Sequence, residues 1–286
     1  MRYRMLGIDL DGTLFDSNAR ISRHNRDAVT EAQRAGVLCV PCTGRGWIES
    51  KAALADLSGL GSGVFVGGAA VVDVGTGQSI DLAAFEPHVA LEVVKYLDDL
   101  PEAVLVFRDA NLVGHDYLIT GQGELSDNTR WWFQNNNIRV YRQRRVTEDD
   151  LHHALRIGCV AGRKRIAEIS ARVHQRMGDL VFIQNFEGVQ KPDPDQSIHI
   201  LEIFATGVDK WRGLDWIAQR QDIDPSQIAV IGDQINDVAM LQAAGCGIAM
   251  ANATDQVKQA ADHITLANDE DGVAHAIERL LAGDWG

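Results

Sequence analysis

The chain reads as an α/β protein, a Rossmann-like doubly wound parallel sheet core with an inserted α+β cap domain. Three observations predict this. Short, almost wholly apolar runs ending in Gly, Asp or Thr recur at both ends of the 286-residue sequence. Amphipathic, helix-length stretches lie between them. The middle of the chain reads differently, with two strand-like runs almost touching. Strands buried on both faces lose the polar alternation of half-exposed ones, and when they alternate with helices the sheet is parallel and covered on both sides.

Taken in order, residues 5–8 form the first apolar run and 22–35 the first amphipathic stretch, which opens on Ser22 as N-cap and stops at Gly36. Further strand-like runs follow at 37–40 and 64–66. A helix is expected over 87–100. Residues 104–108 and 111–117 are then separated only by Asp109-Ala110, the spacing of a hairpin, so this sheet should contain antiparallel strands. A helix over 162–177 leads into a strand at 180–184. The Pro-rich Lys191-Pro192-Asp193-Pro194-Asp195 reads as an exposed loop before the apolar run at 198–204. Strands at 228–231 and 247–249 and helices at 214–221 and 237–244 restore the opening pattern. The expected organisation is a core of residues 1–80 and 206–286 interrupted by a cap of residues 81–205.

Composition narrows the function. Hydrophobic residues make up 45% and charged residues 23%, the balance of a globular chain with a sizeable core. A net charge of −13 would repel a phosphate backbone, so nucleic acid is not an expected partner. No apolar stretch approaches the roughly 20 residues of a membrane span. The opening Met1-Arg2-Tyr3-Arg4 lacks an apolar signal region, so a cytoplasmic protein is expected. Cys39 and Cys42 have redox-motif spacing, but Cys39 sits inside an apolar run. Buried, inert thiols are the expectation for them as for Cys159 and Cys246.

The chemistry sits at strand ends. The first run delivers Asp9-Leu10-Asp11-Gly12-Thr13-Leu14 at its carboxyl end, where open α/β sheets place their ligands. The run at 228–231 delivers Gly232-Asp233-Gln234-Ile235-Asn236-Asp237 in the same way. Four carboxylates converging from two strand ends repel one another unless a cation intervenes, and an all-oxygen set suits Mg²⁺. Thr43-Gly44-Arg45 adds a hydroxyl and main-chain N–H groups near a helix start, the geometry that binds anions. Lys210, at the head of another helix, is placed to reach a phosphate oxygen. Alone, Thr43 reads as a cap and Lys210 as a solvated lysine.

Their order is what carries weight. Asp9-x-Asp11-Gly12-Thr13, Thr43-Gly44-Arg45, Lys210 and Gly232-Asp233-x-x-Asn236-Asp237 resemble the four motifs of the haloacid dehalogenase superfamily, and the chain is similar to its Cof-type phosphatases, which carry a large α/β cap. The likeness is densest from residue 201 to 274 and includes residues 247–253, Ala261-Asp262-His263-Ile264-Thr265 and Asn268-Asp269. The sequence departs from the family at Gly67, where an asparagine is usual, and at Trp211, where a small residue is usual.

The resemblance implies hydrolysis of a small phosphate monoester through a phosphorylated Asp9. Mg²⁺ would be held by Asp9, the Asp11 carbonyl and Asp233, with Asp237 directly or through water. Thr43, Gly44, Lys210 and Asn236 would bind the phosphate, and the Asp11 side chain would act as acid and base. A mutase or phosphotransferase using the same intermediate is the nearest rival, separated by phosphate release without an acceptor. A non-catalytic metal- or phosphate-binding module is the next, separated by steady turnover. Arg108, His115, Arg130 and Trp131 are cap residues to locate, with surface or core roles expected for each.

Overall fold

A computed structural model describes residues 2–189 and 198–285, so the expected loop at 191–195 lies outside the described residues. The chain divides into two units, Met1–Asp81 with Asp209–Gly286, and Leu82–Val208. Strands and helices are numbered in chain order.

The first unit is built on an eight-stranded sheet of β1 (Met5–Asp9), β2 (Leu38–Cys42), β3 (Ser62–Phe65), β4 (Ala70–Asp73), β5 (Ser79–Leu82), β12 (Ile228–Gly232), β13 (Cys246–Ala249) and β14 (His263–Ile264), in the spatial order β14-β13-β12-β1-β2-β3-β4-β5. The run from β14 to β3 is parallel, and β4 turns back antiparallel to β3. From β1 the chain winds outward through β2 to β3, and its second half returns to the other side of β1. The order therefore reverses between β1 and β12, and a ligand crevice opens beyond the carboxyl ends at such a reversal.

Burial explains the strands. Met5, Leu6, Ile8 and Leu10 are all buried, as are Ile228, Ala229, Val230 and Ile231, so neither central strand has a polar face. Helix α1 (Arg23–Arg34) follows β1: Ser22 Oγ accepts the Asn25 N–H, and Ala28, Val29 and Ala32 form its buried stripe. Asn25 Oδ1 accepts the Ala274 N–H, which ties α1 to α10 (Gly272–Ala282). Helices α7 (Lys210–Arg220) and α8 (Val238–Ala243) pack over Met5, Val40, Val64 and Val230 through Leu214, Ile217, Met240 and Leu241. Two glycines set how closely α7 lies. A Cβ on Gly7 of β1 would stand 2.8 Å from Leu214 Cδ2, and one on Gly213 of α7 would stand 2.6 Å from Val64 Cγ1. Short α2 (Trp47–Leu54) and α9 (Asp255–Gln259) complete this unit.

The second unit has a mixed six-stranded sheet. Its strands are β6 (Val104–Arg108), β7 (Tyr117–Thr120), β8 (Val140–Arg142), β9 (Ala154–Gly162), β10 (Val181–Val189) and β11 (Ile198–Ala205), in the order β10-β11-β9-β6-β7-β8. All its pairings are antiparallel except β7 with β8. Helices α3 (Pro87–Asp98) and α6 (Arg163–Met177) cover it. Ala90, Val93, Val94 and Leu97 of one, and Ile166, Ile169, Val173 and Met177 of the other, pack on Val104, Val106, Ile157, Cys159 and Leu201.

The expected hairpin is corrected in detail. The strands pair, but residues 110–113 are the helical turn α4 (Ala110–Val113), because Asp109 Oδ1 accepts the Asn111 N–H and starts a helix where a two-residue turn was expected. The second strand consequently begins at Tyr117. The helix expected at 214–221 also starts earlier, at Lys210, since Asp209 caps it by accepting the Arg212 N–H.

Arg108 is buried and donates twice to the His152 carbonyl, at 3.1 and 2.8 Å, and its Nη1 lies 3.4 Å from His115 Nε2. Arg130 pairs with Asp127 along helix α5 (Asp127–Asn135), and Trp131 on the same helix is exposed. Trp211 packs against the apolar cluster under α7. Among the described residues no helix is long and apolar enough to cross a membrane.

Candidate active site

Asp9 is the last residue of β1, and Asp233 follows β12 directly, so the parallel pairing of these strands brings the two carboxylates together. The turn after Asp9 folds back through Leu14 N–H to Asp9 O (3.2 Å) and Phe15 N–H to Leu10 O (2.8 Å). Gly12 has φ of 77°, and a Cβ there would stand 2.3 Å from Asp233 Oδ2, so only glycine lets the two acidic loops touch. Thr13 Oγ1 donates to Asp233 Oδ1 at 2.9 Å across this junction.

Lys210 is the centre of the arrangement. Its side chain is only 1% exposed, and Nζ donates to Asp9 Oδ1 at 2.6 Å and to Asp237 Oδ1 at 2.5 Å. Burial works against its charge, but Asp237 and Asp9 outweigh that and hold its pKa above the usual lysine range. Asp237 also closes its own loop, because Oδ2 accepts the Asp233 N–H (3.0 Å) and the Gln234 N–H (2.9 Å). The side chain thus fixes both the loop after β12 and the lysine.

Asp9, Asp233 and Asp237 are all buried, and each offers a carboxylate oxygen within 4.8 Å of the others. One ammonium faces three carboxylates. Burial, then Asp237, raise the Asp9 pKa well above its ordinary value despite Lys210, and burial with Asp237 pushes Asp233 up to about 6. A divalent cation fits this set: the donors are all oxygen, and two charges remain to be cancelled after the lysine is counted.

Thr43, just beyond β2, is buried. Its Oγ1 accepts the Arg45 N–H at 3.1 Å, and its carbonyl accepts the Gly67 N–H at 3.0 Å. A Cβ on Gly44 would lie 3.9 Å from Asn236 Nδ2, so the loops carrying Thr43-Gly44 and Asn236 adjoin. Asn236 Oδ1 is buried with no hydrogen-bond partner among the described residues. Asp11 stands outside the buried cluster, held by the Arg45 guanidinium.

The structure therefore gathers Asp9, Asp233, Asp237 and Lys210 into direct contact and sets Thr43, Gly44 and Asn236 on adjoining loops. The Arg45 side chain had been given no part by the sequence. Asn252 was also unassigned: Nδ2 donates to Gly12 O at 2.8 Å, and Oδ1 accepts the Asn268 N–H at 3.0 Å. Both asparagines lie in stretches that carried the family resemblance, which was the available signal. Cys39 and Cys42 are buried in β2, and burial pushes the Cys39 thiol up to about 12, so neither is a ready thiolate.

A metal prediction arises here. Because the folded pKa of Asp233 is raised, the metal-free protein favours the protonated carboxyl. That contribution is complete below about pH 4 and is lost as pH rises through about 6. Mg²⁺ requires the carboxylate form. It should raise Tm strongly at pH 7.5 and little at pH 5, and Asp233→Asn should abolish the shift. Thermal melts with Mg²⁺ and with chelator check this, and equal shifts at both pH values would contradict it.

Known proteins resemble this chain over nearly its whole length. The family model described as haloacid dehalogenase-like hydrolase matches residues 6–277. The 5-amino-6-(5-phospho-D-ribitylamino)uracil phosphatase YwtE of Bacillus subtilis is 27% identical, covering 99% of both chains. A haloacid dehalogenase-like hydrolase from Bacteroides thetaiotaomicron superposes with a TM-score of 0.77 at 24% identity, over 97% of this chain and 99% of that one. The subclass IIB sugar phosphatase BT4131 gives 0.77 at 20% identity, over 97% and 98%.

Proposed function

The chain belongs to the haloacid dehalogenase-like hydrolase family as a phosphatase of the Cof type, and on that premise we propose that it hydrolyses small phosphate monoesters, sugar phosphates or similar metabolites, through a phosphorylated Asp9. The observation that carries this reading is the Lys210 bridge, which fixes one oxygen of a buried strand-end carboxylate beside two further acidic groups.

Asp9 Oδ2 attacks phosphorus, the ester P–O bond breaks, and the leaving oxygen takes a proton from the Asp11 carboxyl. Water then attacks the aspartyl phosphate, giving its proton back to Asp11, and inorganic phosphate leaves with Asp9 regenerated. Lys210, Thr43 Oγ1 and the Gly44 main-chain N–H supply donors to the phosphoryl oxygens, whose charge persists through a loose transition state, with Asn236 beside them. Asp9, Asp233 and the Asp11 carbonyl would hold Mg²⁺, with Asp237 behind them, and the ion would neutralise the charge of the incoming phosphate. The second unit carries none of these groups, which leaves it the choice of leaving group.

Asp11→Asn tests the assignment of roles. An alkoxide needs a proton as it departs and a nitrophenolate hardly does. The phosphorylation burst of this variant should fall at least about a hundredfold with a hexose phosphate, near 3 kcal/mol of barrier, and stay within roughly threefold of wild type with nitrophenyl phosphate. The aspartyl phosphate should also accumulate, because water is no longer deprotonated. Rapid-quench measurement of both bursts decides the matter, and equal losses in folded protein would remove Asp11 from the acid's role.

A further inference from the structure

Asp11 has a task that needs a fixed orientation, and its side chain is 52% exposed. An exposed aspartate on a turn samples several rotamers, and proton transfer is efficient from few of them. Here one guanidinium takes both oxygens: Arg45 Nε donates to Oδ2 at 2.7 Å and Nη2 donates to Oδ1. The planar fork sets direction as well as distance, which a lysine cannot do.

Arg45 is itself well seated. Its N–H donates to Thr43 Oγ1, its carbonyl accepts the Val66 N–H at 2.9 Å, and its guanidinium lies 5.5 Å from the Phe15 ring centroid. Val66 holds a φ of 52°, rare for a β-branched residue, so the main chain that grips Arg45 is kept in a conformation it would not adopt unaided. Strain of this kind persists only where surrounding contacts impose it. Here the contacts are the Val66 bond to Arg45 and the Gly67 bond to Thr43.

We propose that Arg45 is the positioning residue of Asp11: its fork, carried on a main chain that bonds the Thr43 hydroxyl and the Val66 N–H, fixes the direction in which the Asp11 carboxyl faces the leaving group and the attacking water. This deepens the phosphatase reading and rests on Asp11 being its acid and base. Arg45 acts through Asp11.

The test is a double-mutant cycle on the phosphorylation burst, using Arg45→Gln, Asp11→Asn and the pair together, with a hexose phosphate and with nitrophenyl phosphate. Arg45→Gln should slow the hexose phosphate burst about tenfold or more, leave the nitrophenyl burst within roughly twofold, and leave both KM values within roughly twofold. Added to Asp11→Asn, it should do nothing further. Arg45→Lys keeps the charge and loses the fork, so it should resemble Arg45→Gln. It carries the test should the glutamine variant not fold, and a wild-type burst from it would overturn the proposal. So would a rise in KM for both esters, which would make Arg45 a phosphate ligand, or an additive loss in the double variant. Absence of any leaving-group dependence in Asp11→Asn alone is a different result, which defeats the acid–base reading itself.

Discussion

Asp9→Asn should eliminate turnover of every phosphate ester, whatever its leaving group, and at the same time raise the thermal stability of the metal-free protein. The first effect follows because the amide cannot form the acyl phosphate. Removing a nucleophile that acts in concert with its neighbours costs on the order of 10⁴-fold or more in kcat. The second follows from charge. Asp9 is pushed well above its ordinary pKa by burial and by Asp237, so the folded metal-free chain bears a cost for its ionised form. Asparagine has nearly the same volume and keeps an oxygen for Lys210. Acid-quench trapping should find no phosphoenzyme, and chelator-treated melts at pH 7.5 should show a higher Tm than wild type. A variant with lower Tm and residual turnover of a few per cent would mean that Asp9 is a structural carboxylate and that another group attacks phosphorus.

Lys210→Met is expected to damage stability and chemistry together. The side chain is buried between Asp9 and Asp237, and removing one partner from a buried ionic cluster typically costs about 3–5 kcal/mol because the remaining charges lose their compensation. Loss of one preorganised donor to the phosphoryl oxygens should add a fall of about 10²–10³ in kcat. The two effects separate in urea titrations. Mg²⁺ supplies positive charge to the same carboxylates, so the destabilisation should be larger in chelator than in saturating Mg²⁺, while kcat stays low in both. Equal destabilisation with and without the ion would indicate that Lys210 and the metal do not share the carboxylates.

Much of this site could be read before any coordinates, for a specific reason. Apolar strands that end in Asp-x-Asp or Gly-Asp announce where chemistry emerges from a parallel sheet, because position along a strand is encoded locally. What local pattern does not encode is which partners meet across two hundred residues. Asp237 stands with Asp9 and Asp233 in the buried carboxylate set, and its oxygens also accept from Lys210 and from two main-chain N–H groups, so it braces the loop and the lysine as well, which no local pattern announced. Arg45 contributed only main chain to the sequence reading, and its side chain lies on Asp11. Residues 111–117 misled for the opposite reason: their β propensity was overridden by one side-chain bond, from the Asn111 N–H to Asp109.

The close approach of α7 to the sheet has a bearing on how this protein tolerates change. Gly7 and Gly213 are shims of zero thickness, and the Lys210 ammonium sits where it does because nothing stands between helix and strand at those two points. A methyl group at either would count as a gain to any scheme that scores cores by filled volume. It would also lift the helix bearing Lys210 by a fraction of an ångström, on a bridge whose two spans are already hydrogen-bond length. Such a chain would be miscalibrated: the tolerance of Lys210 against its two carboxylates is machined into an interlayer spacing set at Gly7 and Gly213.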